Sequence, residues 1–166
     1  MKKRILLSLI ISLIYTVGKS QTASVEKSTY GIQTGLLGIW VHNEMKLTNQ
    51  IALRTEFGVN ASIFGGNFYP KTGFLMTPVI SVEPRWYYNL EKRLSKSKSI
   101  SGNSGNFVSL QTSYHPDWFV ISNYDNLKTF NLITIIPTWG IKRNIGKHFT
   151  YETSIGVGYG YQFRGE

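Results

Sequence analysis

The sequence predicts an all-β fold, an antiparallel up-and-down β-barrel that crosses a membrane. Three observations carry this prediction: long stretches alternate between apolar and polar side chains, no helical periodicity competes with them after residue 20, and the chain begins with an export signal. A strand produces such alternation because successive side chains point to opposite faces of the sheet. The composition agrees, since only 16% of residues are charged, against about a quarter in soluble domains.

Residues 1–20 are organised like a secretory signal peptide. The basic start MKKR is followed by the apolar run Ile5–Tyr15 and by Gly18-Lys19-Ser20, a small-x-small cleavage site. The alternative is a membrane anchor, but the apolar run is shorter than the roughly 20 residues that a spanning helix needs. We therefore expect a signal peptide over 1–20, a barrel domain over 21–166, and a location in the outer membrane of the cell.

Six stretches alternate strongly enough to be predicted as strands. In Phe74–Leu90, one face is apolar or aromatic throughout, while the other becomes polar and carries Glu83 and Arg85. The first stretch alternates imperfectly, which predicts a bulge near Gly35 or Gly38. The polar segment 91–106 predicts a loop. The six predicted strands are Tyr30–Asn43, Gln50–Phe64, Phe74–Leu90, Phe107–Ile121, Asn131–Asn144 and Phe149–Phe163.

The two faces of these strands predict two environments. One face is apolar and is expected to meet lipid; its members are Ile51, Leu53, Phe57, Val82, Trp86, Ile133, Ile135, Trp139, Tyr159 and Tyr161. The other face is expected to line a small lumen and carries the charge cluster Arg54, Glu56, Glu83, Arg85, Lys142 and Glu152. A small barrel is filled by its own side chains, so a network of salt bridges is favoured over a charged conduit or ligand site.

At this point the chain resembles a known family. The signal segment, the strand text IALRTEFGVNAS and VISVEPRWYYNL, and the aromatic-rich ending NIGKHFTYETSIGVGYGYQF are similar to the small OmpA-like outer-membrane barrels of Gram-negative bacteria. In that ending, Gly158, Tyr161 and Phe163 stand in the matching places. The resemblance implies outer-membrane lipid and the barrel-insertion machinery as partners. It implies no chemistry.

Two features depart from this pattern. Six strands fall short of the eight with which such barrels begin, so either strands are missed or the chain is incomplete at its C-terminus. Proline cannot donate a ladder hydrogen bond, so Pro78, Pro84, Pro116 and Pro137 inside predicted strands predict interruptions. Short turns at Glu44–Asn49 and Gly146-Lys147 are typical of the periplasmic side, but a periplasmic N-terminus combined with a count of six strands places both turns outside the cell.

The sequence favours a structural, adhesive or interaction role over catalysis. Ser113, His115 and Asp117 share a face and would suit a lipid-modifying barrel enzyme, but Ser113 and His115 lie about 7 Å apart along a strand. No cofactor or metal site is predicted, because three scattered histidines and no cysteine give no ligand spacing. Nucleic acid is not expected as a partner, and an extracellular partner stays unidentified. A soluble exported barrel with an apolar ligand inside is the alternative, and it needs both faces reversed.

Overall fold

One antiparallel β-sheet forms almost the entire fold. The computed structural model describes residues 22–67, 70–125, 127–146 and 148–163. Within these residues, 61% are in strands, and the sheet curls into a half-barrel. The strands are β1 (Ser28–Gly35), β2 (Gly38–Lys46), β3 (Ile51–Phe64), β4 (Gly73–Trp86), β5 (Gly105–His115), β6 (Ile121–Ser122), β7 (Leu132–Ile145), β8 (Phe149–Gly156) and β9 (Tyr159–Gln162).

The sheet is open in the part of the chain that the structure describes. Its order is β1-β2-β3-β4-β5-β7-β8, while β6 pairs with β4 beyond the end of β5, and β9 pairs with β7 beyond the end of β8. The sheet is thus seven strands wide. The predicted all-β, antiparallel class is confirmed, whereas the sheet has two free edges, at β1 and β8, in place of a closed barrel.

The first predicted strand is in fact a hairpin, so the predicted bulge is wrong. Strands β1 and β2 pair from Ser28↔Met45 to Gly35↔Gly38, with only Leu36 and Leu37 between them. Across this two-residue loop, the outward-facing residues change from even-numbered positions in β1 to odd-numbered positions in β2. Read as one strand, the segment therefore alternates imperfectly. Gly38 has φ +148°, a value that L side chains rarely adopt.

The extra strand gives the half-barrel two distinct ends. The end with the beginning of β1 also holds the short turns 47–50 and 146–148 and the connection 87–104; we call it the closed end. The opposite end holds the 36–37 turn, the connection between β3 and β4, and the connection between β5 and β7 that contains β6; we call it the open end. The N-terminal segment therefore lies at the same end as the two turns that the sequence predicts to be periplasmic, so the conflict that six strands created disappears, while the newly found turn 36–37 lies at the other end.

Two prolines in β4 interrupt its pairing on one side only. The ladder to β3 is continuous from Ile51↔Trp86 to Phe64↔Gly73. The ladder to β5 omits Pro84 and ends at Ile80↔Tyr114. Alternate residues direct their peptide groups to the same neighbouring strand, so Pro78 and Pro84 both lack a donor towards β5.

A third proline splits the predicted strand 107–121. Continued past Ile80↔Tyr114, the register would bring Pro116 opposite Pro78, and neither could donate. It would also bring Met76 opposite Trp118, whereas Met76 pairs with Ile121, three residues further on. The chain therefore leaves the sheet at Pro116 and returns as β6.

The fourth proline, Pro137, accounts for the gap between β8 and β9. Pairing of β7 with β8 ends at Thr138↔Gly156 and resumes in the same register at Ile135↔Tyr159. The omitted positions lie opposite Pro137 and its neighbour. The last predicted strand, Phe149–Phe163, is thus one extended segment. Its pairing with β7 is interrupted where Pro137 has no N–H to donate.

The predicted loop 91–106 is structured and closes one end of the half-barrel. Strand β4 ends at Trp86 rather than Leu90, and a short helix α1 (Leu90–Leu94) and a 3₁₀ turn (Ser101–Asn103) follow. This connection packs against the segment before β1, and the two form an apolar plug. Both segments supply apolar side chains that cover the end of the sheet. The plug consists of Ala23, Val25, Ala52, Tyr87, Leu90 and Phe107, with Leu94 and Ile100 against it.

Candidate functional site

The inner face of the half-barrel carries a buried network of ion pairs above the apolar plug. All six residues predicted for the lumenal cluster contribute to it, from β3 (Arg54, Glu56), β4 (Glu83, Arg85), β7 (Lys142) and β8 (Glu152). Alternation along each strand directs these side chains inward. The curl of the sheet then brings together strands that are far apart in sequence.

Arg85 lies at the centre of the network. Its Nη1 is 2.7 Å from Glu152 Oε2, and its Nη2 donates to Glu152 Oε1 at 2.8 Å and to Glu83 Oε2 at 2.7 Å. The guanidinium lies 4.3 Å from the centre of the Phe107 ring, so it also rests on the plug. Ser109 Oγ donates to the second oxygen of Glu83 at 2.5 Å. Both oxygens of Glu83 and both oxygens of Glu152 thereby accept a hydrogen bond.

Arg54 connects the first and last strands of the sheet. Its Nε and Nη2 donate to Glu56 Oε2 at 2.8 and 2.6 Å, and Nη2 also donates to Gln33 on β1. Its Nη1 lies 3.9 Å from Glu152 Oε2 on β8. One guanidinium therefore contacts side chains from both free edges of the sheet.

A second group of contacts surrounds Glu44, which the sequence assigned to a turn. Glu44 is fully buried in β2 and accepts hydrogen bonds from Lys142 Nζ at 2.7 Å, Tyr87 Oη at 2.7 Å and Asn103 Nδ2 at 2.8 Å. Burial first, and then the Glu44 carboxylate, raise the pKa of Tyr87 well above its usual value. Alternation along β2 is the sequence signal that points to Glu44. Glu44 pairs with Arg54 in the register of β2 and β3, so both side chains face inward.

Between the ion pairs and the open end lies a cavity of about 530 Å³. It is lined mainly by neutral polar side chains, including Gln33, Asn60, Ser81, Gln111, Ser113 and Thr134. Five charged residues also line the cavity and are paired with one another: Arg54, Glu56, Glu83, Arg85 and Glu152. Leu37, Trp40, Val79 and Ile136 supply apolar parts of its wall, so the cavity has the chemistry to hold water or a small solute with both polar and apolar groups.

The residues predicted to face lipid all lie on the outer, convex face. Seven of them are exposed (Phe57, Val82, Trp86, Ile135, Trp139, Tyr159 and Tyr161), and Ile51, Leu53 and Ile133 are partly exposed. The soluble alternative required Phe57 and Val82 to point inward and Arg54 and Arg85 to face water. The observed faces have the opposite arrangement, because both arginines are buried.

The candidate catalytic residues are not assembled into a hydrogen-bonded group among the described residues. Ser113 and His115 both line the cavity, whereas Asp117 follows the end of β5 and is exposed. The backbone N–H of Asp117 donates to Asn131 at 3.2 Å. Within the ranges that the structure describes, no hydrogen bond links the Ser113 hydroxyl, the His115 imidazole and the Asp117 carboxylate in series.

The histidines are also separated from one another. His42 is partly buried within β2, and its imidazole ring lies against Gly31. His148 is exposed at the closed end. Within the described ranges, no group of three His, Cys, Asp or Glu residues could hold a metal ion.

Comparisons with known proteins identify no relative. No family model, no curated protein and no solved structure matches the chain. In the part of the chain that the structure describes, no helix is long and apolar enough to cross a membrane. Functional inference therefore rests on the geometry of the two faces.

Proposed function

We propose that this chain is a small outer-membrane β-protein of the OmpA-like kind. In this proposal, residues 1–20 direct export, the convex face of the sheet contacts lipid, and the ion-paired inner face fills the lumen. The single observation that carries the proposal is the inversion of the usual arrangement: arginine and glutamate are buried inside, while phenylalanine, valine and tryptophan are exposed outside. Lipid is the solvent that makes this arrangement favourable.

The extent of the exposed apolar surface supports the proposal. Large apolar side chains are exposed along every long strand, from Ile32 on β1 to Ile155 on β8. A soluble monomer rarely exposes contiguous apolar patches larger than a few hundred Å². Aromatic side chains also gather at the closed end, where Trp139 Nε1 donates to Tyr88 Oη at 2.9 Å and Trp86 packs on Tyr88. Such clusters are typical of the aromatic girdle at a membrane interface.

The two ends of the half-barrel support an orientation in the membrane. The closed end carries the N-terminal segment and the short β2–β3 and β7–β8 connections, as expected on the periplasmic side, together with the long connection 87–104. The open end carries the two-residue turn 36–37 and the longer β3–β4 and β5–β7 connections, which then face the outside of the cell. Because the inner carboxylates and cations are paired with one another, the proposed role is structural or adhesive and is carried by these loops.

Cell fractionation in a Gram-negative host tests the proposal. The chain is expected in the outer-membrane fraction, to remain there after an alkaline carbonate wash, and to be released only by detergent. A variant lacking residues 1–20 is the control, and it should not reach the outer membrane. Recovery of the exported protein in a detergent-free soluble fraction would overturn the proposal.

A further inference from the structure

We propose that the gap between β1 and β8 is a binding slot for one extended strand of a partner polypeptide, which would run antiparallel to both edges. The inference goes beyond the membrane proposal, because it follows from strand directions. Each of the six pairings from β1 through β2, β3, β4, β5 and β7 to β8 is antiparallel. After six reversals, β8 runs in the same direction as β1. One opposed strand between them gains antiparallel ladders on both of its sides.

Side-chain exposure shows that neither edge has a neighbouring strand among the described residues. On the outer face, Ile32 of β1 is 75% exposed and Ile155 of β8 is 72% exposed. The comparable outward residues of central strands, Val82 and Ile135, are only 43% and 44% exposed. An exposed edge with such apolar side chains is a ready template for another strand.

The inner face shows the same gap from the other side. Inward serines on the central strands are buried, as in Ser81 and Ser113, whereas the inward Ser154 of β8 is exposed. The lumen therefore opens sideways at the edge of β8. One side chain contacts both edge strands, because the Arg54 guanidinium reaches Gln33 on β1 and Glu152 on β8. Eight strands form the smallest common closed transmembrane barrel, so one added strand satisfies closure.

The surroundings of the slot define the chemistry of its occupant. Strands β1 and β8 have 8 residues each, and five of their eight outward side chains are apolar or aromatic (Tyr30, Ile32, Phe149, Tyr151 and Ile155), so the occupant alternates apolar residues on its outer face. Its inner side chains must be small or polar to fit beside Gln33 and Ser154. Among the described residues, the network holds four carboxylates (Glu44, Glu56, Glu83 and Glu152) against three cations (Arg54, Arg85 and Lys142). This excess favours one inward basic side chain in the occupant over an acidic one.

Cysteine crosslinking tests the slot directly, because the chain has no cysteine of its own. The full chain, refolded in detergent micelles, is given single cysteines by Ile32→Cys on β1 or Ile155→Cys on β8. The probe is a synthetic peptide of about ten residues, the length of a spanning strand, with alternating apolar residues and one cysteine. We expect a disulfide to the peptide at both edges. Val82→Cys, which also faces outward but lies on a fully paired strand, is the control and should give none.

The direction and charge of the peptide refine the test. A cysteine at the N-terminal end of the peptide should crosslink to Thr34→Cys, near the end of β1, in preference to Tyr30→Cys near its beginning. An inward lysine in the peptide should compete better than an inward glutamate, and a scrambled sequence without alternation should lose the crosslink.

Several results would overturn the inference. Crosslinking that is equal at Val82→Cys would show non-specific contact, and a preference for Tyr30→Cys would show a parallel strand. A disulfide between Ile32→Cys and Ile155→Cys in one molecule would show that the edges close on each other. Disulfides between two copies would identify a second copy as the occupant. None of these results depends on where the protein resides in the cell, so the membrane proposal is tested separately.

Discussion

Arg85 is the residue on which most of the inner face depends. It donates to Glu83 and to both oxygens of Glu152, and it packs on Phe107. Its Nε has no hydrogen-bond partner, so the other guanidinium nitrogens carry the interaction. Losing one partner of a buried ion pair is costly because the remaining charge stays buried without compensation.

We therefore expect Arg85→Met to destabilise the fold by about 3–5 kcal/mol. Urea unfolding of the protein refolded in detergent micelles measures the change. Lys92→Met is the control, because Lys92 is exposed on α1 and takes part in no ion pair of the network. A loss no larger than that of the control would show that Glu83 and Glu152 are stabilised by other means.

The pair of Glu44 and Lys142 predicts a measurable coupling. Each single variant, Glu44→Gln or Lys142→Met, leaves its partner charged and buried, whereas the double variant removes both charges. The double variant should thus cost less than the two single changes together, by roughly 0.5–3 kcal/mol. Glu91→Gln combined with Lys142→Met is the control and should be additive, because Glu91 is exposed on α1. Additivity in the Glu44 cycle would contradict the contact.

At the residue scale, alternation is enough to predict which way side chains face, but not which partners they find. Glu83 and Arg85 are two positions apart on one strand, so their proximity follows from the sequence. The contact of Arg85 with Glu152 spans 67 positions and requires the curl of the sheet. Glu44 was missed for another reason: the first predicted strand ends at Asn43, whereas β2 continues to Lys46.

At the scale of elements, the β1–β2 hairpin depends on Gly38. A Cβ at Gly38 would lie 2.1 Å from the backbone oxygen of Val59, and its φ of +148° adds strain. Gly38→Ala should destabilise the fold by about 1–3 kcal/mol, the usual cost of an unfavourable backbone conformation. Gly35→Ala is the matched control, because its Cβ would meet only Trp40, at 3.7 Å. Equal unfolding midpoints for the two variants would contradict this account of the hairpin.

Pro137 gives a second test at this scale. Pro137→Val supplies the missing N–H opposite the gap between β8 and β9, so hydrogen exchange of the residue 137 amide should be slow. The added bond should stabilise the fold by about 0.5–1.5 kcal/mol. Pro70→Val, in the exposed loop 65–72, is the control and should add an amide that exchanges rapidly. Rapid exchange at both positions would show that the gap has another cause.

The elements that the sequence failed to predict are those with weak local signals. Long strands such as β3 and β7 alternate over 14 residues each, so their positions were predicted closely. The turn between β1 and β2 is Leu36-Leu37, which has none of the usual turn residues. Helix α1 has 5 residues, too few to establish a helical period. It is held instead by burial of Leu90 in the plug.

At the scale of the whole molecule, one strand decides how the ends are assigned. With six strands, the N-terminal segment and the short turns fell at opposite ends. The hairpin of β1 and β2 moves the turn 47–50 and the turn 146–148 to the end that holds Ala23 and Val25. No local pattern reveals this, because the end at which a turn lies depends on the count of all strands before it.

The orientation of the two faces gives the last prediction, at neighbouring positions of β4. Val82 points outward and is exposed, whereas Ser81 points inward and lines the cavity beside Arg54, Glu56 and Glu83. If the outer face meets lipid, Val82→Arg near the midplane should cost about 2–4 kcal/mol. Ser81→Arg should cost less, because the cavity is polar and its carboxylates outnumber its cations. Unfolding of both variants from lipid vesicles measures the difference. In water the order of the two costs should reverse, since an exposed arginine at position 82 is harmless while one at position 81 must be buried. Equal costs of the two variants in vesicles would therefore contradict the proposal that the outer face contacts lipid.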